Sequence, residues 1–555
     1  MNTSRHNLGL YRCVVCTAQY TAPSTGAGSG GQEQQLRTAV ENALAAVVMR
    51  HGILRAGVAG EDTHEPVFTH LRTIDLREMI EWKELPGESS TNGGGDDEYM
   101  QALLRSTEER HDRLWEDLAR RPGWKLIVHV HQRRGGGAGS DGRLRLDISL
   151  AFHHIYADGQ SVFLFHRDLV QALSARGGPP PPAELHDHVL HLPRPPAIPP
   201  PCEALVPFTL SWGFLLRLVW WELVWKKLAP AWLAVRFVPA PAALSWTAGP
   251  VTPDPHRARL RLVRVRPDAL AAVLAACRRR QTTLTPLLHA LAIASLAARL
   301  PASVAPAFAP TTAINLRRWA KSAMAGEGAG GSNSVAAFDP ENDLQNLVTG
   351  HLYNADAGVV SALRAAFAST STSPSSSSSS ANPATTEKGK REEDPEEVVW
   401  RTAGRIGEDL RAKVATLPRD DIAGLTGMVS DWRARLTGQF GQRKDRTWEC
   451  SNAGSMRASD AEPGGGGNGD GHDCWRIERV LFSQGATPVG PAFALNVAGV
   501  EGRGLWIVVS WQDSNVEDAL LEGLAADLQA WFDALGAAGR FGMFDGRADL
   551  GRSYP

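Results

Sequence analysis

The sequence predicts a mixed α/β protein built of two units. Strand-like and helix-like patterns alternate through the N-terminal third of the chain, and the same alternation starts again at Arg257. A proline-rich and tryptophan-rich stretch separates these two regions. With 555 residues, the chain is also longer than one ordinary domain. We therefore expect units at residues 1–190 and 251–555, with a crossover at 191–250.

The composition is that of a soluble globular protein. Apolar residues make up 43% of the chain and charged residues 21%, and the formal net charge of -2 gives no reason to expect a nucleic-acid partner. Six dispersed cysteines argue against a disulfide framework, and the pair Cys13 and Cys16 has no second pair at metal-ligand spacing. No long apolar segment follows the N-terminal charges, so we expect no signal peptide and a cytoplasmic protein.

The first unit is predicted to alternate strands with amphipathic helices. Leu10 to Tyr20 is a predicted strand, and Gln32 to Arg50 has apolar residues at helical spacing. Further strands are predicted at Lys125 to His131 and at Arg143 to His153, where apolar residues alternate strictly. A helix follows Gly159 and ends at a pair of glycines.

The apolar stretch from Leu205 to Phe237 has three possible interpretations. It is long enough to span a membrane, but Arg217 and Glu222 lie inside it and disfavour a span. Its tryptophans suit either peripheral contact with a membrane or burial against the rest of the protein. Peripheral contact with the endoplasmic reticulum or lipid droplets is therefore one expectation, and burial is the other.

The second unit is predicted to begin with a strand at Arg257 to Val265. Helices are expected at Pro267 to Arg280 and at Thr285 to Leu300, where Thr285 and Pro286 form the start signal. A strand-like segment, PTTAINLRRW, comes next. These elements repeat the strand and helix alternation of the first unit.

The C-terminal region is predicted to contain a strand pair, two insertions and a closing helix. RIERVLFSQGATPVGPAFALNV and GLWIVVSWQDS are the expected strand pair, and Val516 to Leu535 is the expected closing helix. Residues near 369–397 and 458–472 are too polar or too rich in glycine to pack, so disordered insertions are expected there.

The pattern HHxxxDG is the strongest functional signal, and its fixed residues are His153, His154, Asp158 and Gly159. It lies on the turn between a predicted strand and a predicted helix. Histidine accepts a proton near neutral pH, and a turn at a strand end can place it in a cleft. Adjacent histidines point in different directions, so one of them is expected to reach the substrate. A two-histidine metal site and a purely structural pair are the alternatives.

HHIYADG resembles the active-site motif of the superfamily that contains chloramphenicol acetyltransferase, peptide-synthetase condensation domains and the plant BAHD acyltransferases. The resemblance implies that His154 is the catalytic base, with His153 beside it, and that Asp158 is structural. A glycine at position 159 is expected to provide backbone freedom or to permit close packing. RHGILR resembles a condensation-domain segment whose last arginine pairs with the motif aspartate, which implies a salt bridge between Arg55 and Asp158.

Within this superfamily, the sequence most resembles the fungal alcohol O-acetyltransferases. The segments LGLYRCVVCTAQY, TAINLRRW, SNAG, FSQ and VSWQD stand in that family's order, and the plant DFGWG motif is absent. The resemblance implies two similar α/β domains of the chloramphenicol-acetyltransferase type, with an active-site channel between them. It also implies acyl transfer, such as acetyl transfer, from acyl-CoA to a hydroxyl. Ser451, Asn452 and Gln484 are the implied candidates for stabilising the oxyanion.

Other functions remain compatible with the same motif. The acceptor could be an amine instead of an alcohol, or the chain could bind a hydrophobic ligand without catalysis. A Ser-His-Asp hydrolase is disfavoured because the sequence has no G-x-S-x-G elbow. We expect no metal in the site, no bound cofactor besides acetyl-CoA as co-substrate, and a monomeric enzyme with a small-molecule acceptor.

Overall fold

Two mixed β-sheets, one in each half of the chain, organise the fold. The computed structural model describes residues 1–23, 32–85, 95–131, 143–175, 178–220, 245–322, 326–327, 334–335, 338–370, 394–461 and 474–543. Helices pack on both sheets, which confirms the predicted α/β class.

The first half alternates strands and helices as the sequence predicts. Its strands are β1 (Val14–Thr21), β2 (Ala56–Ala59), β3 (Val67–His70), β4 (Thr73–Asp75), β5 (Ile80–Leu85), β6 (Trp124–His131), β7 (Arg145–Phe152), β8 (Leu185–His186) and β9 (Val189–His191). Its helices are α1 (Asn2–Asn7), α2 (Gln32–Arg50), α3 (Leu76–Met79), α4 (Gly95–His111), α5 (Gly159–Leu173), α6 (Cys202–Leu205) and α7 (Trp212–Val219). The strands β1, β7, β6 and β5 lie side by side in the first sheet, antiparallel except for β5 and β6.

The helices α2 and α5 bury the faces that their sequences predict. Val40 and Leu44 from α2 and Phe165 and Leu169 from α5 lie in one core cluster with the strands of the first sheet. Strand β1 starts at Val14, not at the predicted Leu10. The chain before it is folded into a turn, because the Leu10 N–H donates to the Arg5 carbonyl.

The second half is built on a six-stranded sheet in the order β10, β18, β17, β15, β11, β14. Its strands are β10 (Ala258–Val265), β11 (Thr311–Asn315), β12 (Gly326–Glu327), β13 (Ser334–Val335), β14 (Val348–Leu352), β15 (Arg446–Met456), β16 (Arg476–Gln484), β17 (Pro491–Val500) and β18 (Gly504–Gln512). Its helices are α8 (Pro267–Arg279), α9 (Leu284–Arg299), α10 (Ala357–Thr370), α11 (Pro395–Thr416), α12 (Trp432–Thr437), α13 (Ala458–Ala461) and α14 (Asp518–Ala538).

Strand β16 connects the two halves. It leaves the second half and pairs antiparallel with β1, so it forms the edge of the first sheet. The segment RIERVLFSQGATPVGPAFALNV, predicted as one strand, is therefore two strands, and its second part, β17, pairs with β18 as expected. Through β16, the C-terminal half of the chain is hydrogen-bonded to the first sheet.

Two sequence predictions need correction at element ends. Helix α9 has Thr283 as its N-cap residue, and Thr285 and Pro286 lie within its first turn. Helices α10, α11 and α13 also extend into the expected insertions, because their apolar residues pack against neighbours. The centres of both insertions, residues 371–393 and 462–473, lie outside the described residues.

The tryptophan-rich crossover divides into a buried start and an exposed helix. Leu205 and Val206 are buried in a small cluster of the second half. In contrast, Trp212, Leu216 and Trp220 have exposed fractions of 78%, 65% and 57%. Residues 221–244 lie outside the described residues. Within the parts of the chain that the structure describes, no helix is both long and apolar enough for a membrane span.

Candidate active site

The motif turn lies between β7 and α5, as the sequence predicts. Strand β7 has hydrogen-bonded neighbours on both sides, β1 and β6, so its end is a rigid platform. Beyond it, the Tyr156 N–H donates to the His153 carbonyl, and the Tyr156 hydroxyl donates to the Ala56 carbonyl at 2.9 Å. These bonds hold the two adjacent histidines in fixed, different directions.

His154 has one ring nitrogen engaged and one available. Its Nδ1 lies 2.8 Å from the carbonyl oxygen of Ala157, which only accepts hydrogen bonds, so Nδ1 carries the proton of the neutral ring. The lone pair is then on Nε2, which is the form that a general base requires. Burial lowers the pKa of His154 below its usual 6.5, against opposing contributions from the Ala157 carbonyl and Asp158. The ring is therefore neutral at neutral pH.

Groups from both halves of the chain surround His154. The side-chain amide of Asn346, from the second half, donates to the His154 carbonyl at 2.6 Å, and the amide of Asn2 donates to the same oxygen at 3.3 Å. The ring of Tyr11 lies beside the imidazole, with centroids 5.6 Å apart. The sequence did not predict Asn2 or Asn346, since neither belongs to a recognisable motif. Tyr11 lies in LGLYRCVVCTAQY, a segment that resembles the family, but its role was not anticipated.

Asp158 fixes the start of α5 and joins the two halves. Its Oδ1 accepts from the Ser161 N–H at 2.8 Å, so Asp158 is the N-cap of the helix. Its Oδ2 accepts from the Leu347 N–H at 3.0 Å, and Oδ1 lies 3.2 Å from Nη2 of Arg317. Burial alone would raise the pKa of Asp158, but Arg317 and these N–H groups hold it below its usual value. The carboxylate is therefore structural, as the resemblance implies.

The prediction of a salt bridge between Arg55 and Asp158 is wrong. Arg317 takes this place, and its guanidinium also donates to the carbonyls of Pro340 and Gln345 at 2.7 and 3.0 Å. Arg55 ends a short 3-10 helix, where burial lowers its pKa and Glu184 opposes that shift. Arg317 lies within TAINLRRW, so the family segment contained the correct arginine.

Gly159 lies beside residues of the second half and needs no special backbone angle. Its missing Cβ would lie 3.4 Å from the Ala453 Cβ and 3.7 Å from the Phe482 ring, and its φ is not in the left-handed region. Both distances are ordinary van der Waals contacts, so a Cβ would fit between the start of α5 and the strands β15 and β16. The structure therefore requires a glycine here neither for backbone freedom nor for close packing.

Ser451 lies on the face of β15 that is directed at the first half. Side chains alternate along a strand, so Glu449, Ser451 and Ala453 share one face. Ala453 packs in the core cluster of the first half, and its carbonyl accepts from the side chain of Gln160 in α5. Ser451 is therefore directed toward the same side as the motif helix.

Asn452 lies on the opposite face of β15. Its amide donates to Oγ1 of Thr285 at 3.0 Å, and its side-chain oxygen accepts from the Gly454 N–H at 2.8 Å. Its neighbours on that face, Trp448 and Cys450, belong to the core of the second half. Both ends of the amide therefore bond to residues of the second half, and the structure does not place Asn452 beside His154.

Gln484 approaches the site through Tyr11. Its side-chain oxygen accepts from the Tyr11 hydroxyl at 3.0 Å, and its amide donates to Glu449 at 3.1 Å. Because both ends of the amide are occupied, Gln484 orients Tyr11 beside His154. The sequence identified Gln484, but Glu449 was not anticipated because the partner of a carboxylate depends on tertiary packing.

Comparisons with known proteins cover the whole chain. No family model matches it. A probable alcohol acetyltransferase of Fusarium pseudograminearum is 28% identical, over 98% of this chain and 95% of the relative. A probable alcohol acetyltransferase of Aspergillus fumigatus is 22% identical, over 95% of this chain and 96% of the relative. The resemblance to the alcohol acetyltransferases is confirmed. Both relatives support an acetyltransferase function for this chain.

Solved structures confirm the fold of the superfamily. The TRI3 trichothecene 15-O-acetyltransferase of Fusarium sporotrichioides superposes with a TM-score of 0.60 at 12% identity, covering 95% of this chain and 92% of that one. The first condensation domain of the calcium-dependent antibiotic synthetase has a TM-score of 0.53 at 12% identity, covering 98% and 97% of the two chains. The two-lobed architecture implied by the sequence resemblance is therefore present.

Proposed function

We propose that the chain transfers an acetyl group from acetyl-CoA to a hydroxyl of a small-molecule acceptor, with His154 as general base. The observation that carries the proposal is the hydrogen bond from His154 Nδ1 to the Ala157 carbonyl, which leaves Nε2 as the basic atom. The alcohol acetyltransferase names of the two relatives support a hydroxyl as the acceptor.

The reaction follows from the protonation state of His154. Nε2 removes the proton from the acceptor hydroxyl, and the oxygen attacks the thioester carbonyl of acetyl-CoA. The tetrahedral intermediate collapses, the C–S bond breaks, and the imidazolium returns its proton to the leaving thiolate. The Ala157 carbonyl accepts from Nδ1–H throughout, so it stabilises the imidazolium while it exists. No covalent acyl-enzyme is needed.

The oxyanion of the intermediate needs a hydrogen-bond donor. Of the three candidates predicted from the sequence, Ser451 has the most suitable placement, because its strand face is directed toward α5. Asn452 and Gln484 have both amide ends in bonds to other residues. Ser451 is therefore the candidate that we retain for this role.

Release of CoA thiol tests the proposed function. Acetyl-CoA is supplied with matched alcohols and primary amines of the same carbon skeleton, and free thiol is measured against a reaction without acceptor. The proposal predicts thiol release that depends on the alcohol. Release with the amines alone would indicate N-acetylation, and no release with any acceptor would indicate a ligand-binding protein.

The rate of transfer is expected to fall on the acid side below pH 6.5. Burial lowers the pKa of His154, and Arg5 lowers it further, whereas Asp158 and Glu449 oppose the shift. Because the base must be unprotonated, activity is lost as the pH falls through this lowered pKa and is fully present at neutral pH. The measurement is kcat/KM from about pH 5 to about pH 8. An acid limb centred above 6.5 would contradict the buried, neutral histidine.

We also infer that α7 rests on an anionic phospholipid surface. Trp212, Leu216 and Trp220 repeat every four residues and are exposed, so they form an apolar stripe along the helix. Arg217, Lys413 and Arg419 line one depression beside α7 together with Asp420, which pairs with Arg419, and the Arg419 side chain is 68% exposed. A flat apolar stripe beside cations matches the chemistry of an anionic membrane surface.

Flotation with vesicles tests this contact. Replacing Trp212 and Trp220 together by serine is expected to release the protein from vesicles that contain phosphatidylserine and to leave its activity on a water-soluble acceptor unchanged. Val67→Ser, at a 58% exposed position on β3, is the matched control. Two results would contradict the inference. One is equal vesicle binding by the wild type and the double variant, and the other is a double variant in which activity and melting temperature both fall.

A further inference from the structure

Three buried titratable side chains form a cluster beside the motif turn, and the proposed reaction does not use them. They are His6 in α1, Glu61 in the turn after β2, and His153 at the end of β7. Their side chains are only 4%, 14% and 2% exposed. His6 Nδ1 lies 3.0 Å from Glu61 Oε2, and His153 Nε2 lies 3.3 Å from Glu61 Oε1. The carboxylate is therefore held between two imidazole rings.

Hydrogen bonds from backbone N–H groups identify which ring nitrogens carry the protons. His6 Nε2 accepts from the Trp115 N–H at 3.0 Å, and His153 Nδ1 accepts from the Ile155 N–H at 3.1 Å. A nitrogen that accepts a hydrogen bond has no proton, so each neutral ring has its N–H on the side of Glu61. The His6 N–H is hydrogen-bonded to Glu61, whereas the His153 N–H faces the carboxylate at 3.3 Å without a well-formed hydrogen bond.

The same tautomers argue against a metal ion at this place. Within the described ranges, His6, Glu61 and His153 are the one group of potential ligands close enough together to hold a metal. A metal would take the lone pairs of the two facing nitrogens, and the protons would move to the far nitrogens. There they would meet the N–H groups of Trp115 and Ile155. The donor pattern of the backbone therefore fits a hydrogen-bonded cluster.

The charges of the cluster agree with this assignment. Burial alone would raise the pKa of Glu61, but His153 and His6 hold it down at about 2. Burial lowers the pKa of His153 to about 4, although Glu61 opposes this shift. At neutral pH the carboxylate is therefore ionised and the His153 ring is neutral.

The cluster is connected to His154 by two routes. His153 Nδ1 accepts the N–H of Ile155, so the His153 tautomer fixes the backbone on both sides of His154. His6 ties α1 to Glu61, and Asn2 of the same helix donates to the His154 carbonyl at 3.3 Å. We propose that Glu61 is a positioning residue for the acyl-transfer site, which acts by fixing the tautomer of His153 and the place of α1. This inference rests on the proposed function.

Glu61→Gln is the direct test, because a glutamine side chain has the same shape but one acceptor instead of two. One histidine N–H would then face the amide NH₂, so His153 or His6 would have to change tautomer and lose its bond to the N–H of Ile155 or Trp115. We expect kcat to fall by about 10- to 100-fold, with KM for acetyl-CoA and the melting temperature little changed. Glu65→Gln, an exposed position in the same turn, should behave as wild type.

A spectroscopic measurement separates this inference from the proposed reaction. The imidazole ¹⁵N resonances of His153, identified by their loss in His153→Asn, should show an Nε2–H ring at neutral pH in the wild type. In Glu61→Gln either these resonances should shift toward the Nδ1–H form, or those of His6, identified in the same way with His6→Asn, should shift toward the Nε2–H form. An Nδ1–H ring in the wild type, unchanged kcat in Glu61→Gln, or stoichiometric Zn²⁺ binding that Glu61→Gln abolishes would overturn the inference. The expected tautomer in a protein without transferase activity would contradict the proposed function alone.

Discussion

Replacing His154 by alanine is expected to lower kcat for acetyl transfer by about 10²- to 10⁴-fold, which is the usual contribution of a general base. The Nδ1 bond to the Ala157 carbonyl orients Nε2 as the base, and none of the other residues around His154 shares this role in the proposed mechanism. His153→Ala should reduce kcat less, because the His153 ring is directed at Glu61. Steady-state kinetics with saturating acetyl-CoA measures both effects.

His64→Ala is the matched control, because the His64 side chain is 68% exposed on the surface. It should retain the activity of the wild type. Near-normal turnover of His154→Ala, or a larger loss in His153→Ala than in His154→Ala, would contradict the assignment of the base.

The second large effect is expected at the pair of Asp158 and Arg317. Both side chains are at least 90% buried, and removing one partner of a buried ion pair typically costs about 3 to 5 kcal/mol of stability. Asp158→Asn and Arg317→Ala should therefore each lower both the melting temperature and kcat/KM. In the double variant, the losses in kcat/KM should be non-additive by about 0.5 to 3 kcal/mol.

Arg55→Ala supplies the comparison for this cycle. Arg55 is half-buried, and the pair that the sequence suggested for it is absent from the structure, where Asp158 contacts Arg317. When Arg55→Ala is combined with Asp158→Asn, the losses in kcat/KM should be additive within about 0.5 kcal/mol. Strong coupling between Arg55 and Asp158, together with additive losses for Arg317 and Asp158, would support the pairing of Arg55 with Asp158 and contradict the structure.

Local periodicity accounts for the parts of the fold that the sequence predicted well. Helix α2 buries one face, and the alternating apolar residues of β7 lie in the same core cluster, so the spacing of apolar residues identifies both elements without tertiary information. The other face of β7 is buried as well, although its residues are more polar. The position of β16 was not predictable in this way. Its partner, β1, lies more than 450 residues away in the chain, as the pairing of Val14 with Gln484 shows, and strand register across such a distance depends on how the halves pack.

The active site shows the same division between local and tertiary information. His154 and Asp158 were identifiable because the chemistry and the turn require residues at a fixed local spacing. Arg317 and Glu61 lie in segments distant from that turn. Arg317 belongs to the family segment TAINLRRW, but its local pattern does not identify Asp158 as its partner, and Glu61 belongs to no recognisable motif. The direction of Asn452 was accessible in principle, since strand alternation in β15 separates it from Ser451.

The central claim is direct acetyl transfer from acetyl-CoA to a hydroxyl by His154. The most direct test follows the acetyl group: the wild type and His154→Ala are each incubated with isotopically labelled acetyl-CoA and an alcohol, and the label is located by mass spectrometry in the small molecules and in the protein. The account predicts an acetate ester in amounts equal to the released CoA thiol, no labelled protein, and only background ester with His154→Ala. Labelled protein as an intermediate, free acetate in place of ester, or undiminished ester formation by His154→Ala would contradict it.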